Sequence, residues 1–143
     1  MQNQFLFVVR VFICGKLCIG CERNQKEGGM ILYPIYRLVK DEVERVVEPR
    51  SGVYALIDPE GKVVYVGMSH TNLREELLKR LPEVEADPLI RKGAPQFFYF
   101  EHPSFVTEGY ERQCILYHQF RPACNVEHPA KPFPYLKCPI CLE

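Results

Sequence analysis

The stretch "SGVYALIDPEGKVVYVGMS", Ser51 to Ser69, decides the fold. Two short apolar runs, Val53 to Ile57 and Val63 to Val66, flank Asp58-Pro59-Glu60-Gly61. Proline at the second turn position and glycine at the fourth suit a type I turn, so the runs read as the arms of a β-hairpin. A Gly-x-Tyr opens the first arm at Gly52 and a Tyr-x-Gly closes the second at Gly67. Tyr54 and Tyr65 can serve as strand packing, where tyrosine is common, or as groups lining a cleft.

Working outward, "TNLREELLKRL" sets Leu73, Leu77, Leu78 and Leu81 at helical spacing. Thr71 or Asn72 supplies the N-cap, Glu75 stands in the first turn, and Pro82 stops the helix. "VEADPLIRKGAPQ" reads as a loop with a short helical turn. "FFYFE", Phe97 to Glu101, is a third strand rich in aromatics, better suited to core and edge packing than to base stacking. Ser104 to Phe120 is a second long helix, broken at Pro122. Upstream, "ILYPIYRLV" is β-prone and runs into the charged "KDEVERVVEP", an extended arm followed by a short helical piece. The order hairpin, helix, strand, helix predicts a small α+β fold with a three-stranded sheet flanked by helices. In segments, residues 51–126 form the domain, residues 30–50 lead into it, and residues 127–143 are a proline-rich tail ending in a Cys-x-x-Cys.

Composition sets the frame. With 143 residues, 47% hydrophobic and 25% charged, the chain suits one globular domain and excludes a disordered or coiled-coil protein. The formal net charge is zero, so no overall basic excess points to nucleic acid. Lys79, Arg80, Arg91 and Lys92 are interleaved with Glu75, Glu76, Glu83, Glu85 and Asp87, the pattern of a mixed solvated surface. His70, alone in its loop, reads as exposed.

Residues 1–29 stand apart. "FLFVVRVFICGKLCIG" is interrupted by Arg10 and Lys16 and falls short of the roughly 18 apolar residues of a membrane span. "KEGGM", Lys26 to Met30, can be encoded by a purine-rich ribosome-binding sequence ahead of a start codon. The segment is therefore either a translated leader before Met30 or a cysteine-containing arm. Without it the net charge falls to −2.

"GVY" (Gly52 to Tyr54), "YVG" (Tyr65 to Gly67), "NLREELL" and "FRPACN" (Phe120 to Asn125) together resemble the GIY-YIG nuclease superfamily, over about residues 51–126. The resemblance implies a metal-dependent endonuclease module that hydrolyses DNA phosphodiesters with one divalent ion, Mg2+ or Mn2+. It implies that Tyr54 and Tyr65 line the cleft near the nucleophilic water and that Asn125 helps hold that cleft. A tyrosine or metal-bound water accepts the proton, the metal stabilises the departing oxygen, and an arginine offsets phosphoryl charge.

Two positions depart from the family pattern. Glu76 stands where the helix arginine belongs, leaving Arg80, one turn on, or Arg74, two residues before, to replace it. Counting nine residues back from Pro122 places Gln113 at the metal-carboxylate position, with Glu111 about 200° around the helix as the substitute. A neutral glutamine lacks the charge that makes a hard-cation site strong. The alternative on the same fold is a catalytically silent module that engages nucleic acid or a protein partner.

The seven cysteines, odd in number and including two Cys-x-x-Cys pairs, suit reduced thiols and metal ligation, and with them the cytoplasm. Cys18, Cys21, Cys138 and Cys141 have the within-pair spacing of a four-thiolate Zn2+ site. If only the second pair counts, it binds zinc across a dimer or is a pair of free thiols. Cys114, beside Ile115 and Leu116, reads as core.

Overall fold

A computed structural model describes residues 34–143. The elements run β1 (Tyr36–Arg37), α1 (Lys40–Val46), β2 (Gly52–Ile57), β3 (Val63–Ser69), α2 (Leu73–Lys79), α3 (Pro88–Gly93), β4 (Phe97–Glu101) and α4 (Val106–Phe120). The expected leader or arm over residues 1–29, with Cys18, Cys21 and the Met30 start, lies outside the described residues.

The hairpin forms as its turn chemistry requires. Gly61 N–H donates to Asp58 O at 3.0 Å, while Asp58 Oδ1 accepts from the backbone N–H of Glu60 and Lys62 at 3.0 and 2.9 Å. Gly61 takes φ 86°, a left-handed value that glycine adopts without steric cost. In α2 the cap is Asn72, whose side chain accepts from Glu75 N. The "DPLIRKG" run becomes α3, with Asp87 capping the Leu89 and Ile90 amides and Pro88 in the first turn.

The sheet has four strands, in the order β1-β4-β2-β3, all antiparallel. This corrects the three-stranded expectation. Tyr36 and Arg37 pair with Phe98 and Phe97 of β4, and a two-residue strand is too short to show the period-2 alternation that identifies strands.

Helices cover both faces of β2, so all six of its residues are buried. Tyr54, Leu56, Val64 and Phe98 pack on one face with Val43 and Val47 from the α1 region, Leu73 and Leu77 from α2 and Ile90 from α3. Val53, Ala55, Ile57, Val63, Val66 and Tyr99 pack on the other face with Leu116 of α4. A register shift between Leu56 and Ile57 leaves Val64 unpaired in the ladder. That bulge turns both Val64 and Tyr65 towards the α2–α3 face. Arg112 of α4 anchors the helix to β4 through Glu101, Nε to Oε2 at 2.7 Å. Among the described residues no helix is long and apolar enough to cross a membrane.

Candidate functional site

The two glycines of the hairpin motifs are demanded by close approach. Tyr54 and Gly67 are cross-strand partners, and a Cβ at position 67 would lie 2.5 Å from Tyr54 Cζ. A Cβ at position 52 would meet Glu101 O and Leu73 Cδ2 at 2.6 Å. The Tyr54 ring therefore lies over Gly67, directed across β3 towards α2.

There it meets a charged cluster. Tyr54 donates its hydroxyl proton to Glu76 Oε1 at 3.0 Å and accepts from Arg80 Nε at 3.1 Å. Arg80 Nη2 also reaches Glu76 Oε1 at 3.2 Å, and Nη1 reaches Glu85 Oε1 at 3.1 Å. The guanidinium carbon stands 5.2 Å from the centroid of the Tyr65 ring, which is itself 6.0 Å from the ring of Tyr54. Glu85 is only 3% exposed. Its Oε1 takes a second bond from Asp87 N at 2.8 Å, and Oε2 has no partner among the described residues. Glu76, Lys79, Arg80, Glu85 and Asp87 line a cavity of about 710 Å³ beside the cluster.

The electrostatics follow from burial. Tyr54 is fully buried, and desolvation, with the neighbouring Tyr65 and Glu76 charges, holds its pKa well above the tyrosine range. Tyr65, half-buried, is raised for the same first reason, against the opposing pull of Arg80. Burial works against the Arg80 cation, but Tyr54, Tyr65 and Glu85 outweigh it and raise its pKa. At neutral pH Tyr54 is thus a neutral donor and acceptor inside an ion-pair network.

Of the residues singled out in the sequence, Tyr54, Tyr65 and Arg80 come together. Arg74 does not join them: its Nε donates to Val47 O at 2.7 Å, fastening α2 to the end of α1. Asn125 works on the β3 edge, accepting from Val66 N at 2.8 Å and donating to Val66 O at 2.9 Å. One side-chain amide there satisfies both backbone groups that a further strand would have paired. Glu111 is exposed on α4, and α4 packs its buried side on the face opposite the tyrosines. Gln113 lies on that same helix.

A hard divalent cation needs several oxygen ligands with uncommitted charge. Glu76 and Glu85 both spend their Oε1 on Arg80, the α4 pair is held across the sheet, and among the described residues no three acidic or histidine ligands converge beside Tyr54 and Tyr65, so even with Glu85 Oε2 unpartnered the residues there do not fit a catalytic Mg2+ or Mn2+. The roles of Glu76 and Glu85 escaped the sequence reading. The Glu76–Arg80 spacing of four is a visible helix ion-pair signal, whereas Glu85, beyond the helix end, carries none.

Four other side chains converge at the far end of α4. His118, His128, Cys138 and Cys141 bring their ligand atoms within 4.8 Å of one another. Cys138 and Cys141 were singled out in the sequence; the two histidines were not, because no short motif spacing links them to the cysteine pair.

No protein-family model matches the chain, and no curated protein does. Among solved structures it is similar to the GIY-YIG N-terminal endonuclease domain of UvrC from Thermotoga maritima, in three point-mutant forms bound to a catalytic divalent cation, with 18%, 18% and 19% identity, TM-scores of 0.48, and 59% of this chain and 96% of that one covered.

Proposed function

We propose that the chain is a GIY-YIG-type module that engages a partner without cutting phosphodiesters. The observation that supports this is the neutralisation of Arg80, the cation that would have to meet a phosphoryl group, by Glu76 and Glu85. The cavity beside it carries three carboxylates, Glu76, Glu85 and Asp87, against Lys79 and Arg80. With Arg80 paired to two of those carboxylates, the cavity has no excess positive charge for a nucleic-acid backbone and suits a neutral segment of a protein partner.

A metal-dependent DNA endonuclease is the second reading, favoured by the gathering of Tyr54, Tyr65 and Arg80 in one cluster. In that reading Tyr54 and Tyr65 stand near the nucleophilic water and Arg80 supports the phosphoryl group, while Glu111, the expected metal carboxylate, lies across the sheet from them. Plasmid nicking with Mg2+ or Mn2+, run beside a Tyr65→Phe variant, separates the two. The binding reading expects no metal-dependent nicking by either protein; nicking by the wild type that Tyr65→Phe abolishes overturns it.

A further inference from the structure

We infer that His118, His128, Cys138 and Cys141 form a closed structural Zn2+ site that pins the C-terminal tail to the end of α4. His118 Nε2 lies 3.3 Å from His128 Nε2 and 3.3 Å from Cys138 Sγ, and Cys141 Sγ lies 3.6 Å from His128 Nε2. A tetrahedron with metal–nitrogen bonds of about 2.0 Å and metal–sulfur bonds of about 2.3 Å has edges of about 3.3–3.8 Å. Three of the six donor separations already have those values and all four atoms lie within 4.8 Å of one another, and two sulfurs with two imidazoles are a donor set typical of Zn2+.

The surroundings orient the ligands. His128 Nδ1 lies 3.0 Å from the carbonyl of Pro129, so the ring donates there and presents the Nε2 lone pair to the centre. Ile140 N–H points at Cys138 Sγ at 3.4 Å, a backbone donor to a thiolate. Cys138 is fully buried in a cluster with Tyr110 and Cys114. Four protein ligands leave no open position, which makes the ion structural rather than catalytic.

The placement gives the ion a task. His118 and His128 bracket the segment carrying Asn125, which closes the β3 edge at Val66, and Cys124, whose N–H bonds Val64 O at 2.9 Å. An ion joining the two histidines closes this loop on α4, and the cysteine pair brings the tail onto the same centre.

The test uses the full chain, produced with zinc in the medium and purified without chelator or metal-affinity tag. Elemental analysis is expected to find about one zinc per chain. X-ray absorption at the zinc edge is expected to show two sulfurs at about 2.3 Å and two nitrogens at about 2.0 Å, a result that needs no variant. Cys138→Ser and His118→Ala should each cut the bound zinc roughly tenfold or more, consistent with loss of a ligand, while the Cys18→Ser/Cys21→Ser double variant keeps it. Folded wild type without stoichiometric zinc overturns the assignment, as does a Cys138–Cys141 disulfide in its place. A four-sulfur shell, or zinc that survives His118→Ala, equally removes the histidines from the site.

Discussion

With Tyr54 Cζ 2.5 Å from where a Cβ at position 67 would stand, Gly67→Ala must push the ring out of its bonds to Glu76 and Arg80. The expected loss is about 1–3 kcal/mol, as for other overpacked cores, read by urea unfolding. Removing Arg80 has a different cost. Glu85 is almost wholly enclosed, so Arg80→Ala strands a buried carboxylate and should destabilise by roughly 3 kcal/mol. Adding Glu85→Gln to that variant should recover part of the loss, and a double-mutant cycle measures the coupling. The buried tyrosine also sets a pH limit. An unfolded tyrosine ionises near pH 10.0, while folding holds Tyr54 protonated to higher pH. Its contribution is therefore complete below the unfolded value and is lost as the pH climbs towards the folded one. Tyr54→Phe should shrink the fall in stability above pH 10.0 by about 1.4 kcal/mol per pH unit, checked by denaturant titrations between neutral and alkaline pH.

At the scale of elements, β3 is an edge strand whose ladder is met by the Asn125 side chain at Val66 and the Cys124 backbone at Val64 rather than by another strand. Asn125→Asp keeps the acceptor for Val66 N–H but replaces the donor to Val66 O with a second oxygen. Asn125→Ala removes both bonds. The alanine variant should cost about 1–2 kcal/mol and accelerate hydrogen exchange at the Val66 amide, with the inner β2–β4 ladder unchanged. A uniform rise across the sheet would show that Asn125 supports the whole fold instead of one edge. The register shift on β3 belongs at this scale too. It brings Val64 and Tyr65 to one face, so a tyrosine that strict alternation would pair with a simple ladder shares its side with an extra apolar neighbour.

For the whole molecule, the sheet is a divider. Tyr54, Tyr65, Glu76, Arg80 and Glu85 gather on the α2–α3 side, while α4 and the tail build a third cluster from Tyr110, Cys114 and Cys138. The tail takes part in this packing even though its own sequence, rich in proline, shows neither helical nor strand periodicity. Ending the chain after residue 126 should uncover Cys114, which is fully buried with the tail in place. Its reaction with a thiol reagent under native conditions should accelerate by at least about tenfold, since exposure controls thiol reactivity; unchanged protection would mean that the tail does not cover it.

What the sequence by itself determined is what local chemistry controls. The Asp58–Gly61 turn set the hairpin, the leucine spacing and Asn72 set α2, and the aromatic run set β4, because turn geometry and hydrophobic period act over a few residues. The resemblance of its motifs also brought Tyr54 and Tyr65 into view together with Arg80 or Arg74. Only the tertiary structure decided that two carboxylates occupy Arg80, one of them from beyond the helix end, and that α4 carries Glu111 on the far side of the sheet. It alone joined His118 and His128 to the cysteine pair, across nine-residue gaps on either side of His128. Ion pairing and metal ligation depend on distance in space, and across a sheet or along an irregular tail that distance is set by packing, which residue spacing does not encode.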